Sequence, residues 1–166
     1  MCLTRKSVVL APALVLALVT SQTELFRIER SKNANVVVYE AEEGGRSALA
    51  RHDPISASWI LLAKDGRRAK LSFFEKMLAY GFEVDVSDDA QSAALRLKAL
   101  KGRPLKVQMR DGHLVAIGKI GGSEAVLQRV FVTTDESGAV PSVTSIELFG
   151  VDAATGAPCT ERILSK

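Results

Sequence analysis

Apolar and polar residues alternate with a period of two along much of this chain, the pattern of β-strands whose two faces meet different surroundings. In residues 36–41, Val36, Val38 and Glu40 alternate with Val37, Tyr39 and Ala41, a β-branched run of the kind found in buried strands. Residues 55–63 form a second run, bounded by Asp53-Pro54 and Asp65-Gly66. Leu95 and Leu97 alternate with Arg96 and Lys98, and Leu105, Val107 and Met109 alternate with Lys106, Gln108 and Arg110. Further strands are expected over 125–133, 142–150 and 159–164, separated by turn-forming residues at 135–138 and 154–156.

The sharpest local prediction is a hairpin. Arg110-Asp111-Gly112-His113 carries the Asp-Gly pair that suits a two-residue turn. That turn sets Arg110 opposite His113, Met109 opposite Leu114 and Val107 opposite Ala116. Leu105, Val107, Met109, Leu114 and Ala116 then share one buried face, while Lys106, Gln108, Arg110, His113, Val115, Ile117 and Lys119 share a wetter one. One segment breaks the alternation. Ser72 and Glu75 match a capping box, predicting a short helix over 72–80 that Gly81 stops in a left-handed conformation. So short a helix is expected to exist by laying its aromatic face on a sheet. The stretch 42–54 reads as a long surface loop. The fold class expected is mainly β: an antiparallel sandwich or barrel of about eight or nine strands with one short helix.

Residues 1–21 read as a secretory signal peptide. Arg5 and Lys6 precede an apolar run at 8–19, and Thr20 and Ser21 supply a small-residue exit. A membrane-spanning helix needs roughly 20 apolar residues, so this run is too short, and no spanning segment is expected in the mature chain. No cysteine follows the expected cleavage near Ser21, where Gln22 and Thr23 stand, so a lipid anchor there is not expected. Residues 22–166 suit one β-rich domain exported to the periplasm or beyond. Cys2 leaves with the leader and Cys159 remains alone, which excludes an internal disulfide. The precursor's net charge of +3 includes Arg5 and Lys6, so the mature chain is nearly neutral. Nucleic-acid binding, which needs a basic surplus, is not expected.

Several phrases are distinctive. They are FRIERSKNANVVVY at 26–39, Trp59-Ile60 with Leu78-Ala79-Tyr80-Gly81, IELFGVDAATG at 146–156, and Glu161-Arg162-Ile163. Together they resemble an uncharacterised exported bacterial family catalogued as domain of unknown function 4833. Ser58 departs from the pattern, standing before Trp59 where an aromatic residue is expected. The resemblance implies a bacterial exported protein with one domain, and it implies no activity.

Candidate catalytic groups are sparse. Cys159 with His52 or His113 is the one thiol pairing available, and Pro158 and Thr160, which flank Cys159, offer no activating group. Two histidines do not make a metal site, which wants three or four convergent ligands. Gly121-Gly122-Ser123-Glu124 lacks the closing glycine of a nucleophile elbow, and Asp88-Asp89 and Glu42-Glu43 sit in charged loops. No cofactor is expected.

Charge distribution is more informative. Between Ala94 and Lys119, Arg96, Lys98, Lys101, Arg103, Lys106, Arg110 and Lys119 face Asp111 alone as a carboxylate. Arg96, Lys98, Lys106 and Arg110 are therefore candidate binding residues for an anionic envelope ligand or an acidic protein partner. The plainer reading is an ordinary charged outer face. A second candidate set is Arg30, Asn33 and Asn35, with Trp59, Phe73, Phe74 and Tyr80 as an apolar wall at a barrel mouth. Asn and Ser also form local turns, and aromatic residues also fill cores. The function expected is non-enzymatic binding of a ligand or partner in the envelope. The alternatives are an unrecognised enzyme using Cys159, His52 or carboxylates, and a structural component that adds strands to an assembly.

Overall fold

The computed structural model describes residues 22–44, 49–138 and 142–165. The signal peptide expected over 1–21 lies outside the described residues, as does part of the 42–54 loop. Among the described residues, eleven strands form one hydrogen-bonded sheet. They are β1 (Gln22–Arg30), β2 (Asn33–Glu42), β3 (Ile55–Leu61), β4 (Arg67–Lys70), β5 (Phe82–Val86), β6 (Ser92–Leu97), β7 (Leu105–Arg110), β8 (His113–Ile120), β9 (Ser123–Asp135), β10 (Ser142–Asp152) and β11 (Pro158–Leu164). The main path runs β4-β3-β2-β1-β9-β8-β7-β6-β5, and β10 and β11 branch from β9. This is the mainly β fold that the alternation predicts, with more strands than expected.

The branch at β9 explains the shape. β10 occupies one edge of β9 along almost its whole length, from Ala125 to Asp135. β8 and β1 divide the other edge: β8 pairs with residues 123–126 and β1 with 129–132. Gln128 falls between them, unmatched where the β10 register jumps from Leu127 to Arg129. A bulge of this kind bends a strand and sharpens its twist. Two half-sheets thus diverge from β9 and curl into a half-barrel around one apolar cluster. The β1–β9 pair is parallel, against the antiparallel expectation. Parallel neighbours need a long connection, and the intervening strands β2 to β8 supply it without a helical crossover.

The predicted hairpin forms with its predicted register: Arg110↔His113, Met109↔Leu114 and Val107↔Ala116. Asp111 and Gly112 take φ of 50° and 82°, as a type I′ turn requires. At the centre of the core, Tyr39 stacks on Phe26 at 4.7 Å and meets Phe82 edge-on at 5.7 Å. Its hydroxyl donates to the Tyr80 carbonyl at 2.8 Å, and burial raises its pKa well above the ordinary phenol range.

The helical segment departs from expectation twice. The capping box forms, with Ser72 Oγ accepting from Glu75 N and Glu75 Oε2 accepting from Ser72 N at 2.7 Å. The α-helical turn α1 (Phe73–Glu75) then widens into a π-turn over Lys76–Tyr80. Gly81 is extended, with φ −69° and ψ 154°, rather than left-handed. Its role is close approach: a Cβ there would lie 1.9 Å from the Lys76 carbonyl oxygen. The aromatic face does not lie on the sheet. Phe73 is 72% exposed and Phe74 67%, while Tyr80 enters the core and meets Trp59 edge-on at 5.2 Å.

Candidate functional site

The turn between β6 and β7 builds the most electropositive depression described. β6 ends at Leu97, and a 3₁₀ turn, Lys98–Leu100, follows. Buried Leu100 pins that turn to the core, and Lys98 N donates to the Gly81 carbonyl at 2.9 Å. Arg103 N closes back on the Leu100 carbonyl at 3.1 Å, so the chain reverses tightly and throws its long side chains outward. Arg96, Lys98, Lys101 and Arg103 line a depression of about 390 Å³ with Glu83 as its one carboxylate, over an apolar base that includes Leu97 and Leu100.

A second depression, of about 440 Å³, shares Leu100, Gly102, Arg103 and Pro104 with the first. Arg103 is held between them by Glu161 of β11 in a two-point contact, Nη1 to Oε2 at 2.9 Å and Nη2 to Oε1 at 2.5 Å. Gly121 N also donates to Glu161 Oε2 at 2.8 Å. The Arg103 bond, aided by that amide, keeps the Glu161 carboxyl below its usual range. Fixed this way, Arg103 is preorganised rather than searching among rotamers. Lys98 Nζ donates to the Met77 carbonyl at 3.1 Å, so its ammonium is also placed by backbone.

The candidate basic residues separate. Arg96 and Lys98 come together in the first depression. Lys106 stands on the outer face of β7, opposite Ala94 and Ile117. Arg110 lies apart, donating to the Ala153 carbonyl in a depression lined also by Glu124 and Asp152. Two carboxylates from outside the basic stretch enter its face, because β5 pairs Glu83 with Arg96 and Asp85 with Ala94. Lys101, Arg103 and Glu161 complete the site. Their grouping has no sequence signal stronger than the basic run, since Glu161 is distant in the chain.

The second candidate set is also split. Trp59 and Tyr80 are in contact, and the Arg30 charge lies close enough to oppose the rise that burial gives the Tyr80 phenol. The Asn33 side chain accepts from Asn35 N at 2.9 Å and Asn35 Oδ1 accepts from Ala63 N at 3.4 Å, so both amides hold backbone. Cys159 is half-buried on β11 against the core, while His52 and His113 are exposed. Cys159 lines an open groove of about 630 Å³ with Arg27, Arg129 and Phe149, and no histidine. There Arg129 sits 3.9 Å over the Phe149 ring and bonds Glu29 at 3.1 Å. Residues 129 and 149 meet only through the β9–β10 register. Among the described residues, no group of three His, Cys, Asp or Glu side chains is placed to hold a metal ion.

No curated protein and no solved structure matches the chain. A family model does match, over residues 26–162, from β1 into β11, and its description is a domain of unknown function. By that match the chain belongs to the family DUF4833.

Proposed function

We propose that this protein is an exported, non-enzymatic binding protein that takes a small anionic group in the depression at 96–104. The observation that carries the reading is the convergence of Arg96, Lys98, Lys101 and Arg103 on one depression with Glu83 as its one carboxylate. Lys98 and Arg103 are held by Met77 and Glu161, so ordering them costs little when a ligand arrives. A phosphate or carboxylate would meet the planar guanidinium fork of Arg96 and the ammonium groups of Lys98 and Lys101, beside the Glu161-paired Arg103. The leader expected over 1–21 places this binding in the envelope or outside it.

The strand-adding alternative is weakened at the two ends of the main strand path. β4 presents Arg67, Arg68 and Lys70, and β5 presents Glu83 and Asp85, charges of the kind that discourage edge pairing. The test is native mass spectrometry of the mature protein from the exported fraction, followed by calorimetric titration with inorganic phosphate and glycerol phosphate. Binding should weaken by about tenfold or more in Arg96→Glu/Lys101→Glu, a loss of about 1.4 kcal/mol. Saturable turnover of an envelope substrate, abolished by Cys159→Ala or His52→Ala, would replace this reading with the enzymatic one.

A further inference from the structure

Phe73, Phe74 and Met77 project from a single helical segment, 72%, 67% and 45% exposed. The two phenyl rings are 5.9 Å apart and edge-on, so they form one apolar knob. This exposure does not come from a loose segment. Ser72 and Glu75 cap each other, the Trp59 indole donates to Glu75 Oε1 at 3.0 Å, and Tyr80 is buried at the far end. A segment fastened at both ends presents two phenyl rings and a methionine to water, against the normal economy of folding.

Cations lie beside the C-terminal half of the segment. Lys76 is exposed on the same segment, Lys98 reaches the Met77 carbonyl, and the depression holding Arg96 and Lys101 adjoins its C-terminal end through Lys98 and Gly81. Glu75, the acid within the segment, faces inward to Trp59 and Ser72. None of the four depressions described is lined by Phe73, Phe74 or Met77. The two rings project from the surface rather than line one of these depressions.

We infer that this face docks on an anionic lipid bilayer, with Phe73 and Phe74 in the headgroup–acyl boundary and the 96–104 depression on a lipid phosphate. No described helix is long and apolar enough to cross a membrane. The contact is interfacial, joining a small apolar insertion to attraction by anionic headgroups. It rests on the anion-binding reading and names the source of the anion. The aromatic pair supplies the part of the affinity that salt does not screen, and the lysines supply the part that it does.

The test is co-sedimentation of the mature protein with vesicles of phosphatidylglycerol and phosphatidylcholine, beside vesicles of phosphatidylcholine alone. Binding is expected on the anionic vesicles, to fall at about 0.5 M salt, and to drop by about tenfold or more in Phe73→Ser/Phe74→Ser. Both rings are exposed, so that variant should keep its circular dichroism spectrum and its affinity for glycerol phosphate. Free-phosphate binding without vesicle binding overturns the membrane inference alone. Phenylalanine-dependent vesicle binding without free-phosphate binding overturns the anion-site reading, and with it the seating of the 96–104 depression on a lipid phosphate, while the aromatic insertion stands. A dimer in sedimentation that Phe73→Ser/Phe74→Ser dissolves, with no vesicle binding, shows a second copy of the chain on this face and also overturns the inference.

Discussion

Tyr39 joins three parts of the core: β1 through Phe26, β5 through Phe82 and the π-turn through the Tyr80 carbonyl. Its ring supplies apolar area, and its hydroxyl satisfies a backbone group that water does not reach. Tyr39→Phe keeps the ring and orphans that carbonyl, so it should cost about 1–3 kcal/mol in chemical denaturation. A variant as stable as the parent would mean that the Tyr80 carbonyl finds another donor. The buried position of Tyr39 was legible in the alternation of 36–41. Its partners were not, because Phe26, Tyr80 and Phe82 are brought to it by three separate elements. Gly81 shows the converse: the residue type was read correctly as a helix terminator, for the wrong conformation. The π-turn brings the Lys76 carbonyl so close that the absence of a side chain matters, rather than freedom of φ.

At the level of elements, strands with clean alternation were the readable ones. β1 hides its period because Leu25 and Phe26 are both buried, which the bulge between Glu24 and Phe26 permits. β4 has Ala69 alone between cations and exists as an edge on β3. β5 does alternate, Phe82, Val84 and Val86 against Glu83 and Asp85, and is a strand that the expected set omits. The helical segment was legible through its capping box, and its exposed rings were not, since a short apolar run does not reveal which way it faces. Glu75 holds the segment. Burial opposes its charge, but the donors from Ser72 and the Trp59 indole prevail and keep its pKa below the usual range. Glu75→Ala should cost about 1 kcal/mol and speed proteolysis within 73–80. Unchanged cleavage there would show that the contacts of Tyr80 and Lys98 hold the segment without Glu75.

Across the whole molecule, the Arg103–Glu161 pair ties β11 to the turn before β7. Because Arg103 lowers the Glu161 pKa, this contribution is complete above the ordinary glutamate value and fades as pH falls through the lower folded value. The melting temperature should therefore fall on acidification, and Glu161→Gln should flatten that acid limb. An acid limb of unchanged slope in the variant would assign the loss to other carboxylates. Glu161 also holds Arg103 at the rim of the depression proposed to bind anions, so the same acidification should alter how firmly Arg103 is presented.

Sequence by itself determined the strand periods, the Asp111-Gly112 hairpin and its register, the capping box, the family resemblance and the basic run between 94 and 119. These are properties of residues near one another along the chain, where period, turn chemistry and composition act directly. Tertiary structure alone decided that β9 serves three neighbours, that β1 joins it in parallel, and that Glu83 and Asp85 dilute the basic face. It alone set Glu161 beside Arg103 and left Phe73 and Phe74 in water. Each of these depends on strand pairing across long stretches of chain, and local sequence carries no record of which edge a distant strand will find.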